Sequence, residues 1–415
     1  MAVLRGNKIV GLDVGTTKVA AIISELDADK KINIIGVGTS PAYGLKKGVV
    51  VDLESTTKAI AEAVEKSERM AGTTIESAFV GISGEHISSL NSHGVVAVSS
   101  PNQEITHEDV ERVLQAAGIV PLASDREIIH VIPKDYIIDG QNGIKNPVGM
   151  SGMRLEVDTH IVTGGITFIQ NLLKCVQRVG IIVDGLVLQP LATSCSILTP
   201  DEKEIGVALV DIGGGTTDLA IFYESSIVYT SIIPVGGGHI DRDIAYGLNT
   251  TLKEAERLKI EYGYASTTVL PPEENFIKIK DVGDKEIKEI PQRLISEIIE
   301  ARVFEIFDLI KEEINKSNYQ ELLPAGIVLT GGTSLLRGIQ EVANSYLEIP
   351  VRIGNPQYVS GLIEEVRSPI YSTGVGLVLY GASHYEKRRY RTKKIKRINF
   401  WQVFLEKIKN LFREF

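Results

Sequence analysis

The residues best equipped for chemistry lie at 211–218, Asp-Ile-Gly-Gly-Gly-Thr-Thr-Asp, directly after the apolar run Val207–Val210. An apolar strand delivers Asp211 to its end, three glycines let backbone N–H groups come close to a ligand, and two threonines add hydroxyl donors. A concave set of N–H groups cradles phosphate. Asp211 would hold a hydrated Mg²⁺ instead of meeting phosphate directly, because like charges repel. A plain β-hairpin with glycine in its turn would read the same way, so one motif does not decide. A second copy weighs more. Asp13-Val14-Gly15-Thr16-Thr17-Lys18 repeats the pattern, and Lys18 adds a cation that a mere turn does not need. Lined up on the threonines, the later copy carries two extra glycines. Gly331-Gly332-Thr333-Ser334 supplies a third glycine turn, expected to open a helix over 334–345. Two facing hairpins would clamp β- and γ-phosphates between them.

These turns need strands to hold them. Residues 8–14, 18–24 and 32–38 read as short strands, 52–70 as a helix with apolar spacing at Ile60 and Val64, and 76–82 as another strand. A similar block begins near residue 205. A repeat about 200 residues apart indicates two duplicated α/β domains, since solenoid periods are ~20–50 residues. Residues 84–163 differ in texture, with a helix expected at 106–117 and strands near 127–138 and 153–162, and read as an inserted α+β unit. A second insertion, 246–304, holds a helix at 251–263, a polar β-like stretch at 274–290 and a long helix from near Pro291.

Composition sets the class. At 415 residues and 43% hydrophobic the chain builds two or three cores. No run approaches the ~18–20 apolar residues of a membrane span, and no apolar signal segment is read at the start. Cys175 and Cys195 form no disulfide framework and suit a reducing compartment, so a cytoplasmic protein is expected. The seven histidines show no metal-ligand spacing, and no Ser–His–Asp order is evident. The net charge of −9 is uneven. From Glu386 to Phe415 eleven Lys/Arg face three Glu, a tail of +8 on a body of −17. That is poor design for nucleic acid but suits attachment to an anionic surface. In residues 398–415, Trp401, Phe404, Leu405, Ile408, Leu411, Phe412 and Phe415 recur at helical spacing with polar residues opposite. Such a stripe after the basic linker 386–397 reads as an interfacial membrane helix.

The two Asp hairpins and Leu329-Thr330-Gly331-Gly332 resemble the phosphate-1, phosphate-2 and adenosine motifs of the actin-like ATPase superfamily. Residues 186–196 and 371–380 resemble its two interdomain hinge helices. Within the superfamily the chain is most similar to the FtsA family of bacterial cell-division proteins. The marks are His130-Val-Ile-Pro, the stretch GIKNPVGMSG at 143–152, Ile244-Ala-Tyr and the amphipathic C-terminus.

The resemblance implies an actin-like, two-domain duplicated α/β fold with an inserted α+β subdomain and a C-terminal amphipathic helix. It divides the chain into a first half (1–83, completed by 164–195 and 371–385), the insert 84–163, a second half (196–245 and 305–370) and its subdomain 246–304. It implies ATP and Mg as cofactors and at most a slow ATPase. Asp13 and Asp211 would order Mg²⁺-bound waters, and Gln189 would orient the attacking water. Gly15, Thr16, Thr17 and Lys18 would hold phosphates from one side, and Gly213, Gly214, Gly215, Thr216 and Thr217 from the other. Gly331, Gly332 and Ser334 would form the adenosine turn, with Glu256 and Lys259 bordering ribose and adenine. The implied partners are the C-terminal tail of the tubulin-like FtsZ at Arg302 or Arg293, further copies of the chain in filaments, the inner membrane face and later division proteins. Two other classes share the three motifs. A small-molecule (sugar- or acetate-type) kinase needs a catalytic Asp in its acceptor cleft, for which no motif is evident. A chaperone ATPase needs a large substrate domain after the core, where only about 30 residues follow.

Overall fold

The computed structural model describes residues 8–27, 31–273, 275–280 and 287–384. The expected linker and amphipathic helix, 386–415, lie outside the described residues, as do Trp401 and the rest of the apolar stripe.

Two sheets share one topology. The first orders its strands Ile182–Leu188, Ser77–Ile82, Lys8–Val14, Lys18–Leu26, Ile32–Pro41 and Ser360–Gly361. The second orders them Val351–Ile353, Ile327–Thr330, Val207–Ile212, Thr217–Tyr223 and Ser226–Ile233. Each has a three-stranded antiparallel meander whose first strand is flanked by parallel strands reached through crossovers. The carboxylates Asp13 and Asp211 therefore sit at equivalent places, near the end of the strand that opens each meander.

Register corrects the alignment made on the threonines. Asp13 pairs with Ala20 and Val14 with Val19, while Asp211 pairs with Asp218 and Ile212 with Thr217. Both turns therefore contain four residues, and both close through the same bond: Gly15 N–H donates to Lys18 O at 3.0 Å and Gly213 N–H to Thr216 O at 2.9 Å. The later copy has no extra glycines. Gly214 and Gly215 occupy the places of Thr16 and Thr17, Thr216 that of Lys18, and Asp218 that of Ala20.

The elements follow from local chemistry. Asp52 caps the helix Leu53–Ala71 by accepting from Glu54 and Ser55 N–H, Gly72 ends it at φ 63°, and Ala59, Ile60, Ala63 and Val64 form its buried face. The strand Ile182–Leu188 runs three residues into the expected hinge helix because Leu186, Val187 and Leu188 pair with Val80, Gly81 and Ile82. The helix Gln189–Ile197 starts where Pro190, lacking an N–H, is tolerated. Residues 372–384 form the second hinge helix. The turn at 331 opens a short 3₁₀ segment, Gly332–Leu335, and not a helix over 334–345; extended Leu336 and left-handed Gly338 delay the helix to Ile339–Leu347.

Residues 88–165 contribute a separate four-stranded sheet covered by the helix His107–Ala117, which Thr106 and Asp109 start with a capping box. Ile105, Val113, Leu155 and Val157 give this unit its own core. It touches both halves. Leu188 N–H donates to His130 Nε2 at 3.0 Å, and His160 Nε2 meets Thr230 Oγ1 at 2.9 Å. In the second half, the helices Gly237–Leu248, Leu252–Tyr262 and Gln292–Ser317 pack together; the last buries Ile295, Ile299, Val303, Ile306 and Ile310 at helical spacing.

Candidate functional site

The two hairpin tips meet across a cleft of about 390 Å³. A Cβ at Gly214 would lie 2.2 Å from Thr17 Cγ2, and one at Gly215 2.6 Å from Thr16 Oγ1. The glycine-rich tip thus accommodates the threonine-bearing one. Thr16 Oγ1 accepts from Gly48 N–H at 3.0 Å, which holds its hydroxyl in place. At the third turn Gly331 has φ +84°, and a Cβ there would come within 2.3 Å of Asp211 Oδ1. Behind the second tip, Gly237 and Gly238 donate to Gly213 O and Gly214 O at 2.9 and 2.8 Å. Thr333 Oγ1 adds a bond to Gly213 O at 3.2 Å.

Three carboxylates face this space: Asp13 and Asp218, which are buried, and Asp211, which is half-buried. Burial, then repulsion from Asp13, pushes Asp211 up to about 6, and burial with repulsion from Asp211 pushes Asp218 up to about 7. Burial raises Asp13 as well, against the pull of Lys18. Lys18 is lowered by the same desolvation; its ammonium donates to Ile370 O and lies 4.5 Å from the Tyr371 ring centroid. Asp218 Oδ1 and Ser83 Oγ are buried in the cleft wall without a well-formed hydrogen bond. Crowded carboxylates with an unsatisfied oxygen suit a divalent cation. Carboxylates that face an open cleft fit a hydrated Mg²⁺, which they would hold through its waters.

Of the residues singled out by sequence, Asp13, Gly15, Thr16, Thr17, Lys18, Gln189, Asp211, Gly213, Gly214, Gly215, Thr216, Glu256, Lys259, Gly331 and Gly332 line the cleft. Thr217 and Ser334 do not. Thr217 is a strand position, equivalent to Val19, and its hydroxyl donates to Val235 O at 2.8 Å; Ser334 Oγ turns back to Gly331 O at 2.7 Å. Gln189 donates through Nε2 to Asp13 Oδ1 at 3.1 Å, so its amide is bound to a site carboxylate. Lys259 pairs with Asp241 at 2.7 Å and reaches Gly237 O at 3.3 Å. Arg302 is held by Asp243 at 2.6 and 3.0 Å and by Glu305, while exposed Arg293 pairs with Glu297 at 3.1 Å.

Sequence reasoning missed four participants. Asp218 and Ser83 are two; the others are Thr193 and Thr373, one from each hinge helix, which join each other at 2.9 Å and approach Asp211 Oδ2 at 3.5 and 3.2 Å. The Asp closing the motif at 218 was a readable signal. The threonine pair was not, because its contact depends on how helices 180 residues apart cross.

Comparison with known proteins places this cleft in context. Residues 208–376 match the model of the family "Cell division protein FtsA", and residues 84–163 that of the "SHS2 domain inserted in FTSA". The chain is 48% identical to the cell division protein FtsA of Pseudomonas aeruginosa, over 92% of this chain and 90% of that one. It is 39% identical to that of Escherichia coli K12, over 95% and 97%, and 42% identical to that of Bacillus subtilis, over 89% and 82%. Among solved structures it resembles the PilM–PilN type IV pilus biogenesis complex (TM-score 0.65, 17% identity, 90% of this chain and 98% of that one). It also resembles MreB5 of Spiroplasma citri bound to ADP (TM-score 0.56, 16% identity, 92% and 98%). At these identities the structures speak for an actin-like fold.

Proposed function

Since the chain belongs to the FtsA family of cell-division proteins, we propose that it binds Mg-ATP between its two hairpins and carries the division machinery to the inner face of the membrane. The cleft carries this reading: two equivalent hairpin tips, backbone N–H groups and Lys18 around the phosphate position, and three carboxylates where a hydrated Mg²⁺ belongs. Bound Mg²⁺ would neutralise charge on the β- and γ-phosphates. Asp13 and Asp211 would fix its waters, Lys18 would meet phosphate oxygens, and Gln189, steadied by Asp13, would orient a water for slow hydrolysis. The base would lie beyond Gly331 and Gly332, near Glu256, Lys259, Ile260 and Leu335.

In this reading the tail 398–415 anchors the protein in anionic lipid, each basic residue near the surface adding about 1 kcal/mol. Self-association into filaments would multiply weak single-helix attachment. The second-half subdomain 246–304 would receive the FtsZ tail. Arg302 and Arg293 are its candidate cations, although an acidic peptide must then exchange with Asp243 and Glu305 at Arg302 and with Glu297 at Arg293. Later division proteins would join this complex, and nucleic acid has no place in it. A small-molecule kinase is not favoured, because the relatives matched along most of the chain are division proteins.

The test is co-sedimentation with anionic vesicles, with and without Mg-ATP and with and without residues 398–415. We expect the full chain to pellet and the truncated chain to remain soluble while still binding Mg-ATP. Equal pelleting of both would move the anchor elsewhere.

A further inference from the structure

A second concavity runs along the strand Ile182–Leu188, far in sequence from the nucleotide turns. That strand ends the six-stranded sheet, so among the described residues no strand covers its outer edge. The segment 127–130 of the insert forms one wall, and Tyr380 and His384 of the second hinge helix form another. Phe79, Leu173 and Leu186 supply apolar surface between them, and Ile182 stands 67% exposed. Glu127 and Asp184 are the acidic lining residues; no Lys or Arg lines the groove. An uncovered edge strand beside apolar side chains invites an occupant.

The end of the described chain supplies one. The last described residue, His384, lies in the groove wall, and 385–415 follow it in the sequence. The part from Glu386 onward carries +8 (eleven Lys/Arg less three Glu), opposite in sign to the groove, and 398–415 bears an apolar stripe that matches its lining. We infer that this groove is the lipid-free docking site of the chain's own segment 398–415. Residues 386–397 separate the two in sequence, and a coil of that length would reach roughly 20 Å, enough to double back. A tether this short gives an effective concentration of about millimolar, so a weak apolar contact suffices. The stripe cannot face groove and lipid together; docking therefore competes with membrane attachment and would keep the apolar face covered until a membrane is reached.

The inference shares with the proposed function the reading of 398–415 as an amphipathic helix, but it does not need a membrane. Trp401 is the chain's single tryptophan and reports directly on the tail. In lipid-free full-length protein its emission should be blue-shifted from that of a peptide spanning 398–415. The shift should not depend on protein concentration. Ile182→Glu, at an exposed position, and Glu127→Lys should each move the emission back toward the peptide's, with melting temperature retained, and should raise vesicle affinity several-fold. Wild-type emission equal to the peptide's would overturn the proposal. So would a blue shift that both variants leave intact, which puts the docking site elsewhere, or one that grows with concentration, which assigns the tail to a second copy. Failure of wild type to bind vesicles would instead sink the membrane reading and leave the fluorescence result standing.

Discussion

The two hairpins have the same length, the same closing bond and the same carboxylate at the strand end, yet opposite side chains at the tips. Where the first carries Thr16, Thr17 and Lys18, the second carries Gly214, Gly215 and Thr216; where the first has Ala20, the second has Asp218. Bulk on one tip faces its absence on the other, and the cation belongs to one side while the extra carboxylate belongs to the other. A duplicated turn has become two complementary jaws. The shared geometry places the backbone donors, and the differences at the tips decide which half supplies the lysine and which the additional carboxylate.

The largest expected effect comes from the shared feature. Asp211→Ala should weaken Mg-ATP binding by about 100-fold, the upper range for losing a group that orients metal-bound ligands. Stability should change little, because the deletion also removes a charge crowded by Asp13. Titration calorimetry with and without Mg²⁺ checks this; unchanged affinity in a folded variant would remove the metal from this site.

Next is the fit between the tips. Gly214→Ala places a methyl group 2.2 Å from Thr17 Cγ2, so bringing the jaws together should cost about 2 kcal/mol in ATP affinity, as overpacking typically does. Thr17→Ala in the same chain should recover most of that loss even though it removes a hydroxyl. The double-mutant cycle is the measurement. Additive effects would mean that the tips do not meet in the bound state.

How much of this was legible beforehand depends on what each feature rests on. Asp52 and Thr106 mark helix starts through local capping chemistry, and the spacing of Ile60 and Val64 marks a buried face; such signals lie within a few residues of the structure they cause. The threonine pairs misled because identity of letters is a weaker constraint than strand register. Matching Thr16-Thr17 to Thr216-Thr217 shifts the alignment by two positions and hides both Asp218 and the true partner of Lys18. Thr193 and Thr373 reach Asp211 only after two hinge helices cross. The groove beside Ile182 exists because a sheet edge, an insert strand and a terminal helix converge, and no sequence window contains all three.

The carboxylate that distinguishes the second jaw predicts a pH effect. Asp218 is pushed up to about 7, chiefly by burial. Its folded-state pKa exceeds the unfolded one, so the stability of the protonated form is complete below about pH 4 and is lost as pH rises through about 7. Asp218→Asn mimics that form permanently. In nucleotide-free protein it should raise stability at pH 8 by on the order of 1–2 kcal/mol and change it little at pH 4.5. Mg²⁺ should narrow the gap at pH 8 by stabilising the ionised wild type. Thermal melts at the two pH values decide, and an equal difference at both would mean that Asp218 does not titrate with folding.

The smallest effect separates the two threonine pairs. Register makes Thr217 the counterpart of Val19, a buried strand residue, and its hydroxyl is spent on Val235 O at 2.8 Å. Thr217→Val should therefore cost about 1 kcal/mol of stability, the ordinary value of one intramolecular hydrogen bond, and leave Mg-ATP affinity within about twofold, well below the tenfold that 1.4 kcal/mol represents. Thr16→Val is the comparison that gives this meaning, because Thr16 lines the cleft and its Oγ1 accepts from Gly48 N–H. There the affinity should fall by more than the melting temperature suggests. If both valines behave alike toward ATP, the alignment by letters describes the phosphate site better than the alignment by register, and the complementarity of the two jaws loses its basis.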